Sequence, residues 1–388
     1  MPDVRVAGTG ITEFGSAPER TGRDLFAEAS ADALDDAGVD RADVESVFYG
    51  NFMGELAEHQ GHQGPLMAEA AGVDAPGTRF EAACCSGGAA VRNAVKDIRN
   101  GETDVILVGG AERMTNLGTA GATEALAIAA DDLWEVRAGV TFPGAYALME
   151  QAYFEEYGGS REDLAHVAVK NHENALPNDR AQFQKEITVE DVLGAPMVSD
   201  PIGMYDACPI SDGAAAVLLV SDEYAAENDV EAPVAITGTG QGGDRMALHD
   251  RDHLARTPAA DAAAEEAYAD AGVGPDDVDV AEVHDCFTIA EVLALESLGL
   301  YDVGEGMAAA REGETTADGD VPVNLSGGLK AKGHPVGATG VSQVAEIAEL
   351  LRGDHFNSEY VADATLGVTH NAGGTVATAL VHVLEVVE

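Results

Sequence analysis

Gly87-Gly-Ala-Ala-Val-Arg-Asn-Ala-Val-Lys-Asp-Ile-Arg-Asn-Gly101 reads as a helix opened and closed by glycine, and it runs into the apolar strand Val105–Gly109. A second stretch, Gly337-Ala-Thr-Gly-Val-Ser-Gln-Val-Ala-Glu-Ile-Ala-Glu-Leu-Leu-Arg-Gly353, has the same form and leads into Tyr360–Val368, which reads as a strand. Outside these helices, Asp36-Ala-Gly-Val39 returns as Asp270-Ala-Gly-Val273, an offset of 234 residues. At the same offset Ala33 pairs with Ala267, Asp43 with Asp277 and Val44 with Val278. Each copy is an Ala-rich helix (Asp24–Ala37 and Ala259–Ala271) ended by glycine, then an acidic turn and a strand. Shared composition produces part of such a match, but the ordered pairing makes duplication the better account. Two copies of a strand and helix alternation predict two α/β halves facing each other across a pseudo-twofold. Between about Thr115 and Asp200 the pattern lapses. That stretch holds Trp134, Phe142-Pro-Gly144, a helix over Tyr146–Tyr157 and another from Arg161, and reads as an inserted lobe. The expected division is residues 1–115 with 201–225, then 116–200, then 226–388.

The composition narrows what such a fold can bind. The chain has 388 residues, enough for two or three domains. It carries 69 Asp and Glu against 21 Lys and Arg, a formal charge of −48. A surface of that sign repels polyanions, which excludes general nucleic-acid and anionic-membrane roles. With 46% hydrophobic residues and 45 glycines it still builds a packed core rather than a disordered chain. Only 5 of the basic residues are lysine. Acid-rich, lysine-poor surfaces resemble those of cytosolic proteins from extreme halophiles, where molar salt shortens the Debye length to roughly 3 Å and screens self-repulsion. Met1–Gly10 reads as the start of a strand, without the basic and apolar regions of a signal peptide. No apolar run approaches roughly 18 residues. A soluble, cytoplasmic protein is expected.

Four cysteines stand at 84, 85, 208 and 286, with no Cys-x-x-Cys pair and no zinc-like spacing, so no metal site is expected. Cys84, in Glu81-Ala-Ala-Cys-Cys-Ser-Gly-Gly88, lies just before the first glycine-opened helix, where free N–H groups and the helix dipole favour a thiolate. It is either a nucleophile or a small buried hydrophobe. His334 holds the matching place before the second such helix, in Lys330-Ala-Lys-Gly-His-Pro-Val-Gly-Ala-Thr-Gly340. If the repeat is real, the twofold brings Cys84 and His334 together. His284-Asp-Cys-Phe287 ends the strand Val280–Val283, so His284 and Cys286 can both enter one cleft, while Asp285 either orients a neighbour or caps the next helix. His370-Asn-Ala-Gly-Gly374 is a glycine-bearing turn whose N–H groups, Gly373 and Gly374 included, either serve an oxyanion or simply close a hairpin.

Over nearly its whole length the chain resembles the thiolase superfamily, in particular its sterol-carrier-protein-type branch with the archaeal acetoacetyl-CoA thiolases. The carriers are Cys84-Cys-Ser-Gly87, His284-Asp-Cys-Phe287, Gly333-His-Pro335 with Gly337-Ala-Thr-Gly340, Asp212-Gly-Ala-Ala-Ala216 and His370-Asn-Ala-Gly-Gly374. The resemblance implies a five-layer α-β-α-β-α fold and acyl transfer to and from coenzyme A. It implies that Cys84 carries the acyl group and is activated by His334. It further implies that Cys286 is the second acid/base, and that His284, through a water, and His334 bind the thioester oxygen. The common pattern places that second base in a Cys-x-Gly motif; here His370 stands in its apparent place with Ala372 where glycine is expected. Cys85 departs from the family in size and is expected to point away. The resemblance implies coenzyme A thioesters as substrates, with no permanently bound cofactor. Lys330 and Lys332 are candidate coenzyme A contacts, as are Arg137, Lys170, Arg180 and Lys185. A homodimer or tetramer, an OB-fold accessory protein and hydroxymethylglutaryl-CoA synthase are the implied partners. A β-ketoacyl synthase on the same fold is the nearest alternative, disfavoured by Cys286 and by Pro335; a hydroxymethylglutaryl-CoA synthase relative is further off. A non-catalytic scaffold subunit is a third, disfavoured by the intact Cys84, His284 and His334. The direction of flux, toward mevalonate, polyester precursors or fatty-acid breakdown, is left open.

Overall fold

The computed structural model describes residues 4–387, so the strand start expected at Met1–Asp3 lies outside the described residues. The described residues form eleven strands: β1 Val4–Ile11, β2 Ser46–Gly50, β3 Gly77–Phe80, β4 Val105–Glu112, β5 Met197–Ser199, β6 Ile202–Gly203, β7 Gly213–Ser221, β8 Val234–Gly243, β9 Val280–Glu282, β10 Leu366–Gly373 and β11 Thr378–Val386. Strands β5 and β6 make a small hairpin; the others join one sheet in the order β3-β2-β4-β7-β1-β8-β11-β10-β9. The two halves meet where β1 pairs antiparallel with β8, Val4 opposite Ile236.

Seven helices position the site: α1 Gly22–Ala37, α2 Ser86–Arg99, α3 Phe142–Tyr157, α4 Arg161–Asn174, α5 Pro258–Ala271, α6 Thr288–Ser297 and α7 Val336–Arg352. The offset of 234 residues survives in space. Helices α1 and α5 end at Ala37 and Ala271, left-handed glycines follow at 38 and 272, 3-10 turns occupy Arg41–Asp43 and Pro275–Asp277, and β2 and β9 start at Ser46 and Val280. Antiparallel pairs β1–β7 and β7–β4 with parallel β4–β2 are matched by β8–β11, β11–β10 and β10–β9. In place of β3 the second half has a single parallel bridge, Ala281 to Val323.

Alternation along the strands sorts side chains into layers. Ala215, Val217 and Leu219 of β7 face the inner core with Val91 and Val95 of α2 and Val341 and Val344 of α7. Ala214, Ala216 and Leu218 face outward onto Leu25, Ala29 and Ala33 of α1. Helix α5 covers Val381 and Val383 in the same way. The result is α1, sheet, α2 with α7, sheet, α5: the expected five layers. The outer helices sit unusually close because the strands beneath carry glycine. A Cβ built on Gly8 would lie 2.1 Å from the Ala33 carbonyl, and one on Gly240 1.8 Å from that of Ala263.

Two local expectations are corrected. Tyr360–Val368 does not run as a strand: Ser358–Val361 is a 3-10 turn, and β10 begins at Leu366, where Asp279 accepts the N–H groups of Thr365 and Leu366. Residues His370–Gly373 are the end of β10 rather than a turn, with His370 paired to Val381. Between β4 and β7, helices α3 and α4 pack over the second half, where Tyr146, Met149 and Leu164 share a core with Phe287, Ile289 and Leu293. Among the described residues no helix is long and apolar enough to cross a membrane.

Gly240→Ala is expected to destabilise the fold by about 1–3 kcal/mol through overpacking. Gly194→Ala, at a helix end with open space, is the neutral control. Thermal melts of the two variants compare them directly, and equal melting temperatures would contradict the close helix contact.

Candidate active site

The site is made by helix starts. Helices α2 and α7 cross at their first turns, glycine on glycine: a Cβ on Gly340 would lie 2.3 Å from the Gly88 nitrogen, and one on Gly87 2.7 Å from the Gly337 carbonyl oxygen. Cys84 and His334, each two residues ahead of its helix, are thereby brought together. The Cys84 Sγ, a ring nitrogen of His284 and a ring nitrogen of His334 all lie within 4.8 Å of one another. The two imidazoles are nearly perpendicular, with centroids 4.9 Å apart.

Cys84 stands on a strained turn. Ala83 before it has φ +51°, a conformation that L-residues with a Cβ rarely adopt and that costs of order 1–3 kcal/mol. Ser86 holds the turn by accepting the Ala82 N–H at 2.9 Å and donating to the Ala83 carbonyl at 2.6 Å. The Cys-x-Ser spacing therefore has a structural cause. Cys85 turns away, its thiol 3.0 Å from the Ala82 carbonyl.

His334 is fixed from both sides. Its N–H donates to Ser211 Oγ at 3.0 Å, and Ser211 in turn donates to Gln182. Its Nδ1 lies 2.7 Å from Thr339 Oγ1, and the single hydroxyl proton of Thr339 goes to the Pro335 carbonyl. Thr339 must accept from Nδ1–H, which leaves the Nε2 lone pair free to take a proton.

The His284-Asp-Cys-Phe287 stretch splits its functions by direction. Asp285 caps neither α6 nor a catalytic group; its carboxylate accepts the N–H groups of Leu329 and Lys330 at 2.6 and 3.1 Å and an Asn171 amide N–H at 2.7 Å. It thus holds the tight turn Gly328–Lys332 that leads into His334. Gly328 is required there, with φ +57° and a Cβ position 2.4 Å from the Asp285 carboxylate. Cys286 enters the cavity beside Tyr146, whose hydroxyl donates to the Gly374 carbonyl at 3.1 Å.

Cys84, Cys286, His334 and Gly374 share a cavity of about 460 Å³ with Tyr146 and Cys208. Among the described residues, no lysine or arginine stands on its wall. A larger open groove of about 810 Å³ lies behind the turn, against Ala82 and Ala83, and includes none of Cys84, His284, Cys286 or His334.

Of the loop candidates, Gly374 lines the cavity with Cys84, and its backbone N–H partly offsets the desolvation of the thiol. Gly373 faces the outer groove instead. His370 is buried within β10, and burial holds its imidazole down to about 4.

The lysine candidates are corrected more sharply. Lys330 and Lys332 are each 1% exposed. Lys330 donates to the Ala207 carbonyl at 2.8 Å, and Lys332 pairs with Glu346 at 3.1 Å, so neither presents an ammonium to a nucleotide. Lys170 is buried against Glu291 at 2.7 Å, Arg180 pairs with Glu349 and Arg137 with Asp132; Lys185 is exposed beside Tyr205. None of them lines the cavity.

Burial also overturns the expected thiolate. Desolvation pushes the Cys84 thiol up to about 12 despite the N–H of Gly374, and holds His334 down to about 3. His284 is held well below the usual histidine range by burial and by its neighbours His334 and His370. Burial and the neighbouring Cys208 and Cys84 push Cys286 well up. The resting site is neutral throughout: two thiols, two imidazoles. Tyr146, Thr339, Ser211 and Asn371 escaped sequence reasoning as site residues: Thr339 and Asn371 stand inside motifs without a mark of their own, Ser211 only precedes one, and Tyr146 only opens the expected helix.

Comparison with known proteins places this geometry. The description "Thiolase, N-terminal domain" matches residues 4–223, and "Thiolase C-terminal domain-like" matches residues 240–386. The chain is 45% identical over 384 residues to an acetyl-CoA acetyltransferase of Methanothermobacter thermautotrophicus and 41% identical over 393 residues to one of Methanocaldococcus jannaschii, covering 99% of both chains in each case. It is 31% identical to human sterol carrier protein 2 over 95% of this chain and 70% of that one. A solved structure, the Ltp2-ChsH2(DUF35) aldolase, superposes with a TM-score of 0.82 at 26% identity, covering 99% of this chain and 98% of that one. Two halves related by a twofold, a cysteine and two histidines gathered where they meet, and family matches spanning both halves make this chain a member of the thiolase family.

Proposed function

We propose that the chain is an acetyl-CoA C-acyltransferase, catalysing reversible condensation of two acetyl-CoA to acetoacetyl-CoA and the thiolysis that reverses it. The observation that carries this reading is the convergence of Cys84, His284 and His334 within 4.8 Å, with Cys84 and His334 lining one cavity with Cys286. In the first half-reaction His334 Nε2 takes the Cys84 proton as the sulfur attacks the thioester carbonyl. The bond to the coenzyme A sulfur breaks, and the leaving thiolate recovers that proton from His334. The N–H groups of Cys84 and Gly374 serve the carbonyl oxygen. In the second half His334, neutral again, takes the Cys286 thiol proton, and the Cys286 sulfur removes an α-proton from another acetyl-CoA, whose enolate oxygen is met by a ring N–H of His284. The carbanion attacks the acyl carbonyl, the bond to Cys84 breaks, and the Cys84 sulfur takes the proton held on His334, leaving both cysteines as thiols. His334 can donate only while it carries a proton.

With no lysine or arginine on the cavity wall, pantetheine and adenine contacts carry most of the coenzyme A affinity in this reading. The rest of the reading follows the family. A cytoplasmic homodimer or tetramer, adapted to high salt, supplies acetoacetyl-CoA to the mevalonate pathway. It works alongside an OB-fold accessory protein and hydroxymethylglutaryl-CoA synthase. Residues 1–115 with 201–225 and residues 226–388 form its two halves, and 116–200 the lobe over the acyl pocket.

Three outcomes are expected. Cys286→Ser lowers condensation about 10²–10⁴-fold while the burst of coenzyme A released on mixing with acetyl-CoA keeps its size; loss of both together removes Cys286 from the second half-reaction. Because burial lowers His334 to about 3, the base stays neutral at any pH above that value, so the burst rate is flat from pH 8 to pH 5. A rate falling through pH 6.5 would place His334 at its ordinary value. The melting temperature rises from dilute to molar KCl; an unchanged or lower value removes the salt adaptation.

A further inference from the structure

We infer that Asn371 is a positioning residue that fixes the tautomer of His284 and ties that ring to the backbone of the nucleophile turn. The inference rests on the reading of Cys84 as nucleophile and His284 as donor to the thioester oxygen. Asn371 lies in β10, fully buried and opposite Leu380. Its Nδ2 is 3.2 Å from the Cys84 carbonyl oxygen and 3.2 Å from His284 Nδ1. A carbonyl oxygen only accepts, so the end of the amide that faces Cys84 is the amino group. That group has two hydrogens and no lone pair to offer. With one hydrogen on the Cys84 carbonyl, the other meets His284 Nδ1, which is then the bare nitrogen. The single ring proton sits on Nε2, making His284 a donor from the nitrogen that has no protein partner among the described residues.

His334 is held the opposite way by Thr339, with its proton on Nδ1. Two perpendicular rings 4.9 Å apart therefore offer different chemistry, one a base and the other a donor. The amide also uses the space left by the helix crossing. A Cβ on Gly340 would stand 2.3 Å from Asn371 Oδ1, and one on Gly88 2.9 Å. Flipping the amide would set oxygen against the Cys84 carbonyl. An aspartate would do so permanently, since both carboxylate oxygens only accept, and it would draw the His284 proton to Nδ1.

The test compares Asn371→Asp and Asn371→Ser with the unaltered full chain in molar KCl. It reads the coenzyme A burst with acetyl-CoA, steady-state acetoacetyl-CoA turnover, and the ring ¹⁵N shifts of His284 in ¹⁵N-histidine-labelled protein, assigned with His284→Gln. Asn371→Asp, whose carboxylate also faces the Cys84 carbonyl, is expected to keep the size of the burst and slow it at least tenfold less than it lowers kcat, which falls at least 100-fold with KM within threefold. It is also expected to move the His284 proton from Nε2 to Nδ1. If the aspartate variant does not fold, the serine variant, which keeps one donor, is expected to lose at least 10-fold in kcat with the burst retained. Turnover within threefold of the unaltered chain in the variants that fold, burst and turnover falling equally, or an Nδ1 proton in the unaltered chain would each overturn the inference. No burst in the unaltered chain would instead overturn the reading of Cys84, and its His284 tautomer would still decide the role of Asn371.

Discussion

Everything at this site depends on two buried helices touching through glycine. No side chain can stand between the first turns of α2 and α7, where Gly87 and Gly88 meet Gly337 and Gly340 within distances that a Cβ could not share. The strands behind obey the same limit, since a Cβ on Gly110 would lie 2.0 Å from the Gly337 carbonyl and one on Gly50 2.6 Å from the Gly87 nitrogen. This crossing is where the duplicated halves meet. It converts an equivalence in sequence, a residue two places before each glycine-opened helix, into a contact between Cys84 and His334.

The same burial sets the chemistry. A helix start contributes about 0.3–1 kcal/mol toward a thiolate. Desolvation that lifts the Cys84 thiol from 9.0 to about 12 opposes it with roughly 4 kcal/mol. Desolvation wins, so in the proposed mechanism charge appears at Cys84 only as the proton moves to His334 and the thioester is attacked. Fixed hydrogen bonds take the place of resting charge in preparing the site: Thr339 on His334 and Asn371 on His284. The acidity of the surface stays apart from this. The cavity is lined by neutral groups, and the basic side chains nearest in sequence to His334 are spent on Ala207 and Glu346.

The layers were legible because glycine and alanine spacing records close packing as well as helix ends. The Asp-Ala-Gly-Val repeat located α1, α5 and the strands after them, and the glycine-opened helices located the twofold. What could not be read were contacts between segments far apart in sequence. Glu346 and Glu349 look like a solvent face of α7, yet Lys332, His355 and Arg180 bury them. Lys330 and Lys332 look like cations free for a phosphate for the same reason. Tyr146 lies in the stretch without the repeat, where nothing in the sequence marks it as facing Cys286. Asn371 sat inside a quoted motif, but its role exists only because β10 passes beneath the Cys84 turn.

The proposed role of Cys84 as the residue that carries the acyl group rests on the crossing of α2 and α7. The direct measurement is to mix the chain with acetyl-CoA in molar KCl, quench in acid and map the acetylated peptide by mass spectrometry. A single thioester on Cys84, absent in Cys84→Ala and greatly slowed in His334→Ala, is the expected result. Acetylation on Cys85, Cys208 or Cys286 with Cys84 free, or no acyl-enzyme at any salt concentration, would contradict it.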